Sequence, residues 1–175
     1  VAVDTSRTFT PINIALLTIS DTRGPAEDTS GDILAERITG AGHTLAARAI
    51  DKDDVEQIVR RLNNWIDDDG IDCIVTTGGT GLTGRDVTPE ALDRVKEKDI
   101  PGFGELFRWL SYKSIGTSTV QSRAAAVLAR GTYIFALPGS NGAVKDGWDG
   151  ILAEQLDSRN RPCNFVELMP RLREV

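Results

Sequence analysis

The sequence predicts a three-layer α/β/α domain built on a mainly parallel sheet. Three observations lead there: four apolar runs of strand length, helical apolar spacing between them, and glycine or proline at the joints. Parallel strands covered on both faces read as continuous apolar runs, and each needs a crossover, usually a helix, to reach the next.

Ile12–Ile19 is the first strand. The polar stretch Thr22–Ser30, with Gly24 and Pro25, is expected to be a mobile loop. Asp32–Ile38 has helical spacing and stops at Gly40 and Gly42, and Thr44–Ile50 is the second strand. Asp53 takes the N-cap place of the next helix, with Glu56 three positions on as in a capping box. Val55, Ile58, Val59, Leu62, Trp65 and Ile66 then share one face before Gly70. Cys73–Thr77 is the third strand and runs straight into glycines. Thr88-Pro89-Glu90 opens a helix, with a hydroxyl at the cap and proline in the first turn, where its missing N–H is harmless. A further helical stretch follows Pro101-Gly102 and carries Phe103, Leu106, Phe107 and Leu110. The alanine-rich segment Val120–Ala129 is expected to be helical. Gly131–Leu137 is the fourth strand, and Val144, Trp148, Ile151, Leu152, Gln155 and Leu156 describe a last helix. The first ten residues and the last dozen or so carry no clear pattern. No repeat or linker divides the 175 residues, which read as one domain with its core over about 12–165.

Composition narrows the function. A net charge of −6 argues against a nucleic-acid partner, for which a basic face supplies most of the affinity. No apolar run reaches the roughly 20 residues of a membrane span. The N-terminus shows no export-signal pattern, so a cytoplasmic protein is expected. Cys73 and Cys163 lie far apart, which excludes a disulfide framework or a cysteine-rich metal site. His43 is the only histidine, so there is no Ser-His-Asp or Cys-His arrangement; a structural role suits it.

In such a sheet ligands bind beyond the carboxyl ends of the strands. Three strand ends carry special residues: Ser20-Asp21, Thr76-Thr77-Gly78-Gly79-Thr80-Gly81, and Pro138-Gly139-Ser140. Gly78, Gly79 and Gly81 let the backbone approach a phosphate or flat heterocycle and point N–H groups at it, or else they simply make a tight turn. Thr76, Thr77 and Thr80 add hydroxyls. The spacing is neither a Walker loop nor a Rossmann fingerprint. Asp86 and Asp53 are each a candidate Mg²⁺ ligand or a capping group; with Asp21 they are expected to converge at one sheet edge, an acidic cluster that suits a cation beside an anionic ligand. Pro138-Gly139-Ser140 offers a helix N-terminus as an anion seat. Arg85, Arg123 and Lys145 are possible phosphate partners, and Ser122 is polar lining or helix surface.

These residues resemble the MoaB/Mog family of molybdenum-cofactor biosynthesis proteins. The resemblance rests on Thr76–Gly81, Arg85-Asp-Val-Thr-Pro-Glu-Ala91, Pro101-Gly-Phe-Gly-Glu105, Gly116-Thr-Ser-Thr119, Gln121-Ser-Arg123 and Leu137-Pro-Gly-Ser140. It runs from about Asn13 to Cys163, and Glu154–Asp157 through Arg161–Phe165 looks closer to the MoaB branch. The resemblance implies a molybdopterin-binding-like fold and a molybdopterin adenylyltransferase, which moves AMP from ATP to the molybdopterin phosphate with Mg²⁺. By that resemblance Asp53 and Asp86 are the catalytic, metal-holding aspartates. Thr76, Gly78, Gly79, Thr80 and Gly81 would hold nucleotide or pterin, and Ser20, Ser122, Pro138, Gly139 and Ser140 would line the pterin-phosphate region. Gly142 stands where many members carry a lysine. A non-catalytic molybdopterin carrier is the alternative, and a nucleotide pyrophosphatase a weaker one. The family also implies a homotrimer or homohexamer, for which Phe103–Tyr112 is either an interface or core.

Overall fold

The computed structural model describes residues 3–174. The apolar runs become strands β1 (Asn13–Ile19), β2 (Thr44–Asp51), β3 (Cys73–Thr77) and β6 (Thr132–Leu137). Two more strands, β4 (Lys98–Asp99) and β5 (Ala125–Ala129), complete a six-stranded sheet in the order β2-β1-β3-β6-β5-β4. The first four neighbours pair in parallel; β5 pairs antiparallel with β6 and β4 antiparallel with β5, so β5 alone runs against the rest. The sheet is therefore mixed, and mainly parallel as expected.

Side chains on successive strand residues point to opposite faces, and both faces are covered. On one face Ile14, Leu16, Val75 and Phe135 meet Leu34 and Ile38 of α1 (Thr29–Gly40), Phe103 and Phe107 of α4 (Pro101–Ile115), and Val144 of α5 (Asn141–Gly147). On the other, Ala15, Leu17, Ile74 and Ile134 meet Ile58 and Leu62 of α2 (Val55–Ile66) and Leu92 of α3 (Thr88–Val95). The chain passes a π turn, Trp148–Leu152, into α6 (Ala153–Gln155), and ends in α7 (Phe165–Leu168) and a 3₁₀ turn. The C-terminal segment joins the same core: Tyr133 Oη donates to the Phe165 carbonyl at 2.9 Å, and Val166 is buried.

Four expectations need correction. Val120–Ala129 is not a helix: a 3₁₀ turn, Gly116–Gln121, leads into β5. Small residues suit β5 because α4 packs closely on the segment before it; a Cβ on Gly104 would lie 2.5 Å from the Ala124 carbonyl. Asp54, not Asp53, caps α2, accepting from the Gln57 N–H at 2.7 Å. Thr88 lies inside α3, which has no side-chain cap; the Thr88 hydroxyl is engaged elsewhere. The loop after β1 is shorter and more constrained than expected, because α1 already starts at Thr29. Its cap Asp28 is buried, accepting from Gly31 N–H, Thr18 Oγ1 and Arg48.

The order of strands sets the place for a ligand. From β1 the chain goes to β2 on one side, then crosses back to β3 on the other. The loops after β1 and β3 therefore diverge and leave a crevice between them, the switch point at which open α/β sheets bind ligands.

Candidate functional site

A crevice of about 750 Å³ opens at that switch point, lined by Ser20, Arg23, Asp53, Gly78–Gly81, Arg85, Asp86, Ser122 and Pro138–Ser140. Eleven of the twelve site residues expected from the sequence line it. The exception is Thr76, which is wholly buried within β3, its hydroxyl without a hydrogen-bond partner among the described residues. Thr76 shares the face of Ile74, beneath α2 and α3, so strand alternation sends its side chain into the core.

The loop after β3 is shaped by conformations open to glycine. Gly78 and Gly79 have φ of +105° and +66°. A Cβ would fall 2.1 Å from the Ile19 carbonyl oxygen at Gly78 and 2.4 Å from Thr88 Oγ1 at Gly79. Four consecutive carbonyls of this loop are held by the protein. Gly78 O accepts from Thr88 Oγ1 at 2.8 Å and Gly79 O from Thr88 N–H at 3.0 Å. Thr80 O accepts from Arg123 N–H at 2.9 Å and Gly81 O from Arg123 Nε at 2.7 Å. The N–H groups of Gly79 and Thr80 meet no acceptor among the described residues.

Asp86 follows this loop. Its carboxylate accepts from Thr83 N–H at 2.9 Å and Thr83 Oγ1 at 2.7 Å. Burial acts to raise its pKa, but the bonds from Thr83 and Gly81 N–H, with the Arg123 charge, prevail and hold it below the ordinary carboxylate value. Asp53 has the opposite environment. Burial first, then the neighbouring charges of Asp21 and Asp86, push its carboxyl above the ordinary value, against a smaller pull from Arg85. Asp21 joins Asp53 to Arg85: its carboxylate accepts from Asp53 N–H at 3.2 Å and pairs with Arg85 at 3.1 Å.

Those carboxylates are suited to Mg²⁺. No set of three His, Cys, Asp or Glu side chains among the described residues forms a ready-made metal cage. Mg²⁺ needs none, since it takes one or two carboxylates and completes its shell with water and substrate phosphate. Burial raises the Asp53 pKa most, and the repulsion from Asp21 and Asp86 that adds to it is the electrostatic condition that a divalent ion relieves.

The other strand ends are organised locally. Ser20 Oγ accepts from the N–H groups of Thr22 and Arg23, and Ser140 Oγ caps α5 by accepting from Ala143 N–H at 3.2 Å. Pattern reading missed Arg23, whose guanidinium bridges Ser30 Oγ and the Gly139 carbonyl at 2.9 Å and lines the crevice. It sits in a polar stretch without a motif, so nothing in the sequence marked it. Lys145 lies outside the crevice lining, beside Lys113 and Asp149. Buried His43 accepts from Ile12 N–H and packs with its ring tilted against Phe9, the structural role expected.

Comparison with known proteins agrees with this geometry. The MoCF_biosynth family, described as "Probable molybdopterin binding domain", matches residues 15–158. The chain belongs to this family, on its MoaB/Mog branch. Molybdenum cofactor biosynthesis protein B of Escherichia coli K12 is 48% identical over 160 residues, covering 91% of this chain and 94% of that protein. A crystal structure of molybdenum cofactor biosynthesis protein B superposes with a TM-score of 0.85 at 35% identity, covering 95% of this chain and 98% of the other. The tungsten cofactor synthesizing protein MoaB from Pyrococcus furiosus gives 0.75 at 37% identity over 82% and 92% of the two chains. No helix among the described residues is long and apolar enough to cross a membrane.

Proposed function

We propose that this chain is a molybdopterin adenylyltransferase that uses ATP and Mg²⁺. One observation carries the reading: Asp53 and Asp86 lie on the same crevice as a glycine loop with unclaimed N–H groups. In the reaction an oxygen of the molybdopterin terminal phosphate bonds to the α-phosphorus of ATP. The bond from that phosphorus to the β-phosphate oxygen breaks, and pyrophosphate leaves with the electron pair. The nucleophile is already an anion, so the absence of a histidine base is no obstacle. Joining two anions needs positioning and charge neutralisation.

The chain's own groups supply both. The Gly79 and Thr80 N–H groups suit a phosphate oxygen, and the Arg23 and Arg85 guanidiniums add positive charge at the same wall. Asp53 and Asp86 would hold Mg²⁺, which when bound neutralises phosphate charge. Gly142, where no neighbour lies within 4 Å of a Cβ position, favours the second reading, a molybdopterin carrier without turnover, because it leaves that position without a cation. Incubation with ATP, Mg²⁺ and molybdopterin, followed by mass analysis, separates the two. The enzyme yields adenylylated molybdopterin, whereas the carrier binds the pterin and leaves ATP intact. Homo-oligomer formation is also proposed, through exposed Leu106, Trp109 and Tyr112 on α4 rather than through buried Phe103 and Phe107.

A further inference from the structure

The glycine loop does not hold its own shape; two residues outside it do. Across a planar trans peptide, the C=O of one residue and the N–H of the next point in opposite directions. Whatever fixes the first therefore aims the second. Thr88 binds the carbonyls of Gly78 and Gly79 through its hydroxyl and its N–H, so the N–H groups of Gly79 and Thr80 point away from α3. Neither amide has a protein acceptor among the described residues, and both residues line the crevice. Arg123 continues the pattern at Thr80 and Gly81, and its Nη2 donates to the Asp86 carbonyl at 2.7 Å. Its remaining N–H bonds pair with Glu90 in the first turn of α3. One planar fork thus ties the end of the glycine loop, the backbone of Asp86 and α3 into a fixed relation. Lysine, a point charge with no fork, lacks that geometry.

We infer that Thr88 and Arg123 are positioning residues that make the glycine loop an anion cradle: Thr88, by holding the Gly78 and Gly79 carbonyls on the protein side, presents the Gly79 and Thr80 amides to a phosphate-type ligand, and Arg123, by anchoring the next two carbonyls and the Asp86 backbone, keeps that arc in place. The inference rests on the crevice binding an anion, as the proposed function requires, and not on transfer of AMP. Neither residue touches the reacting atoms.

Inorganic pyrophosphate is the probe, added to the whole chain and followed by calorimetry and by NMR of the backbone amides. In the native protein the Gly79 and Thr80 N–H resonances should move downfield on binding. Thr88→Val keeps the side-chain shape and the backbone N–H but loses the hydroxyl; Thr88→Ser restores the hydroxyl. The valine variant should bind pyrophosphate roughly tenfold more weakly, the serine variant near normally. Arg123→Lys should behave like Thr88→Val despite its retained charge. Should the Arg123 variant fail to fold, the Thr88 pair still decides. Valine and lysine variants that fold and bind like the native chain would overturn the inference. So would pyrophosphate binding that leaves the Gly79 and Thr80 amides unmoved, or no pyrophosphate binding at all. A chain that shows the expected pattern yet forms no adenylylated product would overturn the proposed function and leave this inference standing.

Discussion

Two turns meet at the crevice, and they are built differently. The turn after β6, Pro138-Gly139-Ser140, keeps ordinary backbone angles: Gly139 has no positive φ, Ser140 caps α5 from within, and Thr77 and Arg23 donate to the Pro138 and Gly139 carbonyls. The turn after β3 depends on distant parts of the chain: Gly78 and Gly79 both take positive φ, and their carbonyls are held by Thr88 while Arg123 holds the next two. A turn with ordinary backbone angles tolerates an added side chain, whereas one that needs positive φ, with its carbonyls held from two other segments, couples its backbone to whatever those segments touch. Here they touch Asp86 and α3.

Alanine at Asp86 should have the largest effect of any substitution. Turnover should fall by about a hundredfold or more, because electrostatic positioning is lost where no covalent catalyst can compensate. The same loss is expected for Asp53→Ala, while far-ultraviolet circular dichroism stays native. A native rate in both variants would remove the two aspartates from the chemistry.

Next comes a direct contrast between the turns. Gly79→Ala must adopt φ near +66° and place its Cβ 2.4 Å from Thr88 Oγ1, so it should destabilise by about 2 kcal/mol or more. Gly139→Ala meets its nearest atom, Gly78 Cα, at 3.3 Å and should lose under about 1 kcal/mol. Ser140→Ala should lose about 1 kcal/mol, the ordinary value of a helix cap. Urea unfolding midpoints measure all three, and similar values for Gly79 and Gly139 would erase the distinction.

Proton linkage offers a third test. The Asp86 carboxyl is held low in the fold, so it adds stability above the unfolded value near 3.8, lost as pH falls through its lower folded value. The Asp53 carboxyl is held high, so the fold is favoured while Asp53 is protonated; that advantage is present below 3.8 and lost as pH rises through its higher folded value. At pH 7, thermal unfolding should therefore show Asp86→Asn less stable than the native chain and Asp53→Asn more stable. The two differences should shrink together in acid, and Mg²⁺ should reduce the advantage of Asp53→Asn.

The smallest structural effect should be at Gly142, next to the β6 turn. Gly142→Lys has open space for its side chain and should change stability by no more than about 0.5 kcal/mol. If the missing lysine limits phosphate grip, this variant should bind ATP more tightly; unchanged affinity would mean that Arg23 and Arg85 already suffice.

How much of this could be read from residues alone follows from what each signal depends on. β1, β3 and β6 are legible because complete burial demands continuous apolar runs, and β2, an edge strand, is legible from residues that alternate between exposed and half-buried. β5 was not: Ala-Ala-Val-Leu-Ala has no period, and its preference for strand comes from neighbours on both sides and from close packing by α4. β4 has two exposed charged residues and no pattern to find. In the crevice, glycines and aspartates were legible because their chemistry is unusual at a strand end. Thr76 reads as part of the glycine loop by proximity alone, yet it is still within β3, where strand alternation turns its side chain into the core. The cap moved by one residue because adjacent aspartates give the same local signal; only Asp21, from another strand end, distinguishes Asp53. Arg23 and Thr88 act through contacts across the fold, which spacing does not encode.

Release of pyrophosphate from ATP, measured with and without molybdopterin and with and without Mg²⁺, tests the central claim most directly. Release that requires all three components, and that Asp86→Ala abolishes in a folded chain, is the expected result. Release that ignores molybdopterin, or that persists in Asp86→Ala, would contradict it.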